Sequence, residues 1–333
     1  MVSNESGAPG TLIISLDFEL FWGMHDVATL AAYGERIRGV HTAVPRMLKL
    51  FAKYDIHASW AVVGMLACKG KEDLERVAPT VRPRYAQEHF STYRHLERGE
   101  VGAGAADDPY HFAPSLIEKI QETPHQELAC HTFSHYYCLE AGADAESFRE
   151  DLLAWKQALG ERAALDSIVF PRNQVSEAYL AVCAELGVHA YRGTQVHPWY
   201  TSVNTRGQYR PHLRLLRLAD SFVNLSGHHT YPLERAREEA PMNLRASRFL
   251  RPYSPKLSLL EPLKVARVKA GITHAARAGE VFHLWWHPHN FGADLEENLA
   301  SLEKVLQHAH ALVGEGYLSS VTMREASELH HGA

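Results

Sequence analysis

The stretch that most limits the fold is TLIISL, residues 11–16. It is an unbroken apolar run rich in β-branched side chains, the pattern of a strand covered on both faces. Such a strand belongs in a parallel sheet with helices outside it, and the rest of the sequence alternates accordingly. Helical spacing runs through 34–56, with a bend or split expected at Pro45. HASWAVVG (57–64) reads as the second strand. The short helix SLIEKIQE (115–122) leads to the third, ELACHTF (127–133). The helix DAESFREDLLAWKQAL (144–159) precedes the strand SIVFP (167–171), and SEAYLAVCAELG (176–187) precedes VHAYRG (188–193). EVFHLWWH (280–287) resumes the alternation, followed by a helix over 294–314 and the strand YLSSVTM (317–323). This order predicts a parallel α/β architecture, either a barrel or a doubly wound sheet. Two irregular stretches, about 70–114 and 194–280, read as insertions in a single domain spanning 1–333.

Several function classes drop out on composition. No apolar run is long enough to cross a bilayer, and the opening MVSNESGAPG has neither a basic start nor an apolar core, so a cytoplasmic location is expected. Cys68, Cys130, Cys138 and Cys183 lack CxxC spacing, which predicts free thiols. The net charge of −5 conceals an asymmetry: residues 201–277 hold 14 Lys and Arg against 5 Asp and Glu, a balance of +9. That segment suits solvated surface or a platform for an anion such as a phosphate, which Arg grips in a bidentate fork. The chain as a whole is too acidic for a nucleic-acid binder.

Chemistry is expected where strands end. In parallel α/β folds active sites collect at the carboxyl edge of the sheet, and TLIISL runs straight into Asp17 and Glu19 there. HTFSH places His131 and His135 beyond the third strand. Spacing alone decides little, because 22 His among 333 residues produce pairs four apart by chance, and His283 and His287 form another. In context, two imidazoles at a strand end can reach one divalent ion at about 2.0–2.1 Å from each nitrogen. Asp17 or Glu19 would supply a third ligand, and the other would take a proton from the attacking water. The plainer alternatives are a solvated carboxylate pair, hydrogen-bonded loop histidines and an aromatic core strand at HLWWHPHN (283–290).

The succession SLDFE, HASWAVVG, HTFSH, FPRNQ, LWWH resembles the motifs of the polysaccharide deacetylase (NodB-homology) family, the fourth carbohydrate esterase family. The resemblance spans about 11–325 apart from the two irregular stretches, and is narrowest to a cytoplasmic branch associated with surface-polysaccharide (O-antigen or capsule) gene clusters. It implies a distorted parallel (β/α)7-type barrel and metal-dependent removal of an N-acyl group from an amino sugar, with zinc the favoured ion. By the same resemblance His131 and His135 are metal ligands and Asp17 holds the position of the base. Phe18 stands where the family's TFDDG motif has its ligand, so Glu19 is expected to take over, the reverse assignment remaining open. FPRNQ replaces the family's RxPxG, and Arg172 is expected to orient the base carboxylate. His287 falls at the general acid, with Leu284 or Trp286 near the acyl pocket and Trp22, Trp60 and Asn290 as further substrate contacts. The basic segment and cytoplasmic location suggest a nucleotide-linked or lipid diphosphate-linked sugar. Rival readings are a deformylase or other C–N amidohydrolase on this fold, a carboxylate-pair glycosidase, and a sugar-binding protein with an inactive site.

Overall fold

Strand β1 (Gly10–Phe18) runs through the middle of a nine-stranded sheet whose paired strands are all parallel. The computed structural model describes residues 8–201 and 210–329. The other strands are β2 (Ala58–Val62), β3 (Gln126–Cys130), β4 (Ser167–Ile168), β5 (Ala190–Tyr191), β6 (Met242–Asn243), β7 (Arg248–Phe249), β8 (Val281–Trp286) and β9 (Leu318–Val321). Their order is β6-β5-β4-β3-β2-β1-β8-β7, with β9 also on β1. A strand has only two edges. β1 gives one to β8 along residues 11–16, and shares the other between β9 at residues 10–13 and β2 at residues 15–18.

The sheet curls until its two outer strands meet in sequence. Leu244 and Ala246 donate their N–H groups to the carbonyls of Tyr191 and Gly193, while Ser247 and Leu250 donate to His283 and Trp285. One segment thereby ties the β5 side to the β8 side and closes a distorted (β/α) barrel. The stretch 194–280, read as an insertion, supplies this closure and also a helix, Glu261–Ala278, packed against β1 and β8. β6 and β7, two residues each and without the flanking helix that marks β4 and β5, are too short to show a period in the sequence.

Alternation along the strands sorts the side chains into two cores. Leu12, Ile14, Leu16 and Phe18 of β1 pack outward with Trp60, Leu284 and Trp286 against the helices. Ile13, Ala61, Ala129, Val169 and Val281 face the barrel interior, where Met323 and Ala326 of the last helix fill the floor. The outer layer includes one 24-residue helix, Leu30–Lys53, capped by Thr29 and running through Pro45 as a single element. Burial of Val40, Val44, Met47 and Phe51 holds it across the hydrogen bond that proline cannot make. The four cysteines are buried and free, as expected. Among the described residues no helix is long and apolar enough to cross a membrane.

Candidate active site

Because odd-numbered β1 residues face inward, Ser15 and Asp17 point into the barrel, and Glu19 follows at the first residue beyond the strand. Glu19 precedes a short 3-10 turn, Leu20–Gly23, which bends its carboxylate back over the barrel mouth. The fit is close: a Cβ on Gly23 would lie 2.1 Å from the Glu19 carboxyl carbon, so only glycine leaves room for that carboxylate.

His131 and His135 come from the loop after β3. The loop holds Thr132 and His135 in left-handed conformations, at φ 61° and 54°, which is unfavourable for a β-branched threonine. Buried Asp151 fixes the loop by accepting the N–H groups of Phe133 at 2.6 Å and Ser134 at 3.2 Å, and Thr132 Oγ1 accepts the Tyr136 N–H at 2.7 Å. Burial pushes the Asp151 carboxyl up to about 6, with these donors pulling the other way.

His131 Nδ1 lies 2.7 Å from the Val169 carbonyl, which can only accept, so that nitrogen carries a proton. In the neutral ring Nε2 then has a bare lone pair, and it faces Glu19 Oε2 at 3.3 Å; His135 Nε2 faces the same oxygen at 3.1 Å. Electron-pair donors brought this close need a proton or a cation among them. Atoms that each ligate one divalent ion at about 2.0–2.2 Å stand roughly 3–3.5 Å apart, which matches these separations. A backbone carbonyl holding the far nitrogen of the ring is also how ligating histidines are commonly oriented. Glu19, His131 and His135 therefore fit a divalent metal, and all three are buried. Burial raises the Glu19 carboxyl, but His287, His131 and His135 outweigh it and hold the group well below the usual range. A second His/Asp group, Asp55, His57 and His125, lies at the opposite, amino end of β2 and β3 and is largely exposed.

Asp17 is engaged differently. Arg192, fully buried just after β5, grips both its oxygens at 2.6 and 2.8 Å, and also donates to Ser15 Oγ at 3.0 Å and Asn173 Oδ1 at 3.1 Å. The guanidinium lies 4.2 Å from the Trp285 ring. Burial would raise the Asp17 carboxyl, yet the Arg192 charge and hydrogen bonds prevail and lower it, so it stays ionised. His287 completes the group, with Nε2 3.7 Å from Asp17 and 3.6 Å from Glu19, and its side chain still partly open to solvent at 23%.

The structure thus brings together Asp17, Glu19, His131, His135 and His287, and corrects other expectations. Arg172 does not touch Asp17. It binds Asp26 at 2.6 and 2.7 Å, because its segment turns outward after β4 with Arg172 and Asn173 both left-handed. Arg192, which sequence reasoning missed, takes the expected place, and its position at the end of the VHAYRG strand is the signal that could have found it. Leu284, Trp286 and Trp60 point outward into the helix-facing core and Trp22 is fully buried with its indole N–H bonded to the His111 carbonyl at 2.8 Å. None of the four is exposed to a substrate. Trp285, one residue from the expected Trp286, faces inward and lines the cavity beside His287; Asn290 sits on the turn Pro288–Phe291 and does not. His283 is structural, held between Ser15 Oγ and the Leu244 carbonyl at 2.8 and 2.9 Å.

A parallel α/β barrel with two histidines and a carboxylate converging at the carboxyl ends of its strands defines a hydrolase-like site. Residues 37–191 match the family model described as polysaccharide deacetylase, a span that includes both histidines. Residues 37–191 thus form a polysaccharide deacetylase domain by that match. Among solved structures it is similar to a polysaccharide deacetylase described as putative from Mycobacterium smegmatis, at 15% identity and a TM-score of 0.61, covering 98% of this chain and 92% of that one. A probable polysaccharide deacetylase from Pseudomonas aeruginosa PAO1 follows at 12% identity and 0.50, covering 97% and 90%, and Puue allantoinase at 13% and 0.51, covering 98% and 90%. At these identities the likeness establishes the fold. No curated protein matches the sequence significantly.

Proposed function

We propose that this protein hydrolyses the N-acyl amide, an N-acetyl group by preference, of an amino sugar in a metal-dependent reaction. Glu19, His131 and His135 hold the ion, zinc by preference, which supplies Lewis-acid polarisation of the acyl carbonyl and acidifies water. Asp17 takes the proton of the attacking water, and Arg192 orients it and keeps it ionised. His287, opposite the two carboxylates, protonates the departing amine nitrogen as the C–N bond breaks. The observation that carries this reading is the approach of Asp17, Glu19 and His287 within 3.7 Å at the histidine pair. The separate engagement of Asp17 by Arg192 favours Glu19 over Asp17 as the ligand. The proposal places the protein in the cytoplasm as a single domain, acting on a phosphate-bearing sugar used in surface-polysaccharide assembly; the basic balance of 201–277 supports the last point.

The test is acid release from N-acetyl amino sugars. Chelation is expected to abolish release and divalent metal to restore it, and Asp17→Asn to slow turnover by about 10²–10⁴-fold. Metal-replete protein that binds sugar without releasing acid, with Asp17→Asn indistinguishable from wild type, would establish the inactive sugar-binding alternative instead.

A further inference from the structure

Beside His287 opens a cavity of about 250 Å³ whose described lining includes Arg172, Arg217, Arg248 and Arg251 and no carboxylate. Trp285 and Phe249 supply aromatic surface on its wall. The four arginines are not equivalent. Arg172 is answered by Asp26, and Arg248 by Asp220 at 3.1 Å, a carboxylate that also lies 3.8 Å from Arg267. Arg217 donates its Nε–H to the Trp199 carbonyl at 2.5 Å and has no ion-pair partner among the described residues. The Arg251 guanidinium has neither a hydrogen bond nor an ion pair among them. Both are half-buried. Burial lowers the Arg251 guanidinium from its ordinary value, and the neighbouring charges of Arg217, Arg214 and Arg248 add to the effect, as expected where cations crowd without an anion.

Two half-buried guanidinium groups without counter-charges, facing one cavity, are costly unless a ligand supplies the negative charge. Arginine forks suit the several oxygens of a phosphoryl group, and the aromatic wall suits the sugar or base attached to it. His287 belongs both to this wall and to the carboxylate cluster, so one ligand can span the two. We propose that the cavity is a phosphoryl subsite, anchored by Arg251 and Arg217, that holds the phosphate of the substrate while its acyl amide lies at Glu19, His131 and His135. The identity of the rest of the substrate rests on the deacylase reading; the subsite itself does not. Most of the basic excess of 201–277 plays no part in it. Within that stretch Arg245 pairs with Glu239, and Arg248 and Arg267 share Asp220, whereas Arg217 and Arg251 line the cavity with no acidic partner among the described residues.

Calorimetric titration of inorganic phosphate and of UDP tests this in the full-length, metal-replete protein, beside Arg251→Gln, Arg217→Gln and His135→Ala. Both probes should bind wild type, and each arginine variant should weaken them by about tenfold or more. His135→Ala, in which an anion cannot sit on the metal, should bind like wild type. UDP tighter than phosphate indicates a nucleoside carrier on the aromatic wall, and equal affinities indicate recognition of the phosphoryl group alone, as for a lipid carrier. Binding indifferent to both arginines, binding lost in His135→Ala, or glucuronate bound as tightly as phosphate would each overturn the subsite. Arginine-dependent phosphate binding without acid release from any acyl sugar would overturn the hydrolase reading and leave the subsite standing. Equal acid release from N-acetylglucosamine and its phosphorylated form, with no phosphate binding, would do the reverse.

Discussion

The two sides of His287 are built in opposite ways. On the side of the histidine pair the functional groups stand at or just beyond strand ends and form a closed set: Arg192 answers Asp17, and Glu19 with the two imidazoles makes a donor set that fits one divalent cation. On the cavity side three of the four arginines come from the irregular 194–251 segment, and Arg217 and Arg251 lack acidic partners among the described residues. A site whose charges balance internally is preorganised for chemistry. One left with surplus charge is prepared for a ligand that brings the opposite sign. The proposed chemistry thus maps to the regular part of the barrel and the proposed selectivity to its least regular part.

The strongest way to break this comparison is to unbalance the metal side. Arg192→Met leaves the Asp17 carboxylate buried without its partner and should destabilise the protein by about 3–5 kcal/mol in chemical denaturation. A loss below about 1 kcal/mol would mean that the pair is not the internal balance described here. A smaller effect is expected at Asp220, the one carboxylate that Arg248 and Arg267 share. It is buried, yet Arg248, Ser226 and Tyr200 overcome that burial and hold it well below its ordinary 3.8. A lowered folded-state value stabilises above the unfolded value and loses that contribution as pH falls. Asp220→Asn should therefore cost on the order of 2 kcal/mol at pH 7, with the gap to wild type closing below about pH 4. A gap that is constant from pH 7 to 3 would show that charge is not what Asp220 contributes.

Much of the metal side was legible in the sequence because strand position carries it. Asp17 and Glu19 follow an apolar strand, and His131 and His135 follow another. Strand alternation and strand ends predict the inward residues better than motif position does. In VFHLWWH, His283, Trp285 and His287 share a face, which favours Trp285 over Trp286 as the inward residue. Arg192 follows directly on β5 much as Glu19 follows β1, while Arg172 of FPRNQ lies on a turn that faces Asp26. The cavity side was legible only as a charge total. Nothing local in the sequence says that Asp220 would absorb Arg248 and Arg267 while Arg251 stays unanswered, since those pairings cross 28 and 47 positions and one of them starts from a two-residue strand.

Glu19, not Asp17, is proposed to join the two histidines around a metal. The direct measurement is metal content after zinc loading and desalting of wild type, Glu19→Gln and Asp17→Asn, with folding checked by circular dichroism. The account predicts about one ion per chain in wild type and Asp17→Asn and near-complete loss in Glu19→Gln. Retention of metal by Glu19→Gln together with its loss from Asp17→Asn would contradict it.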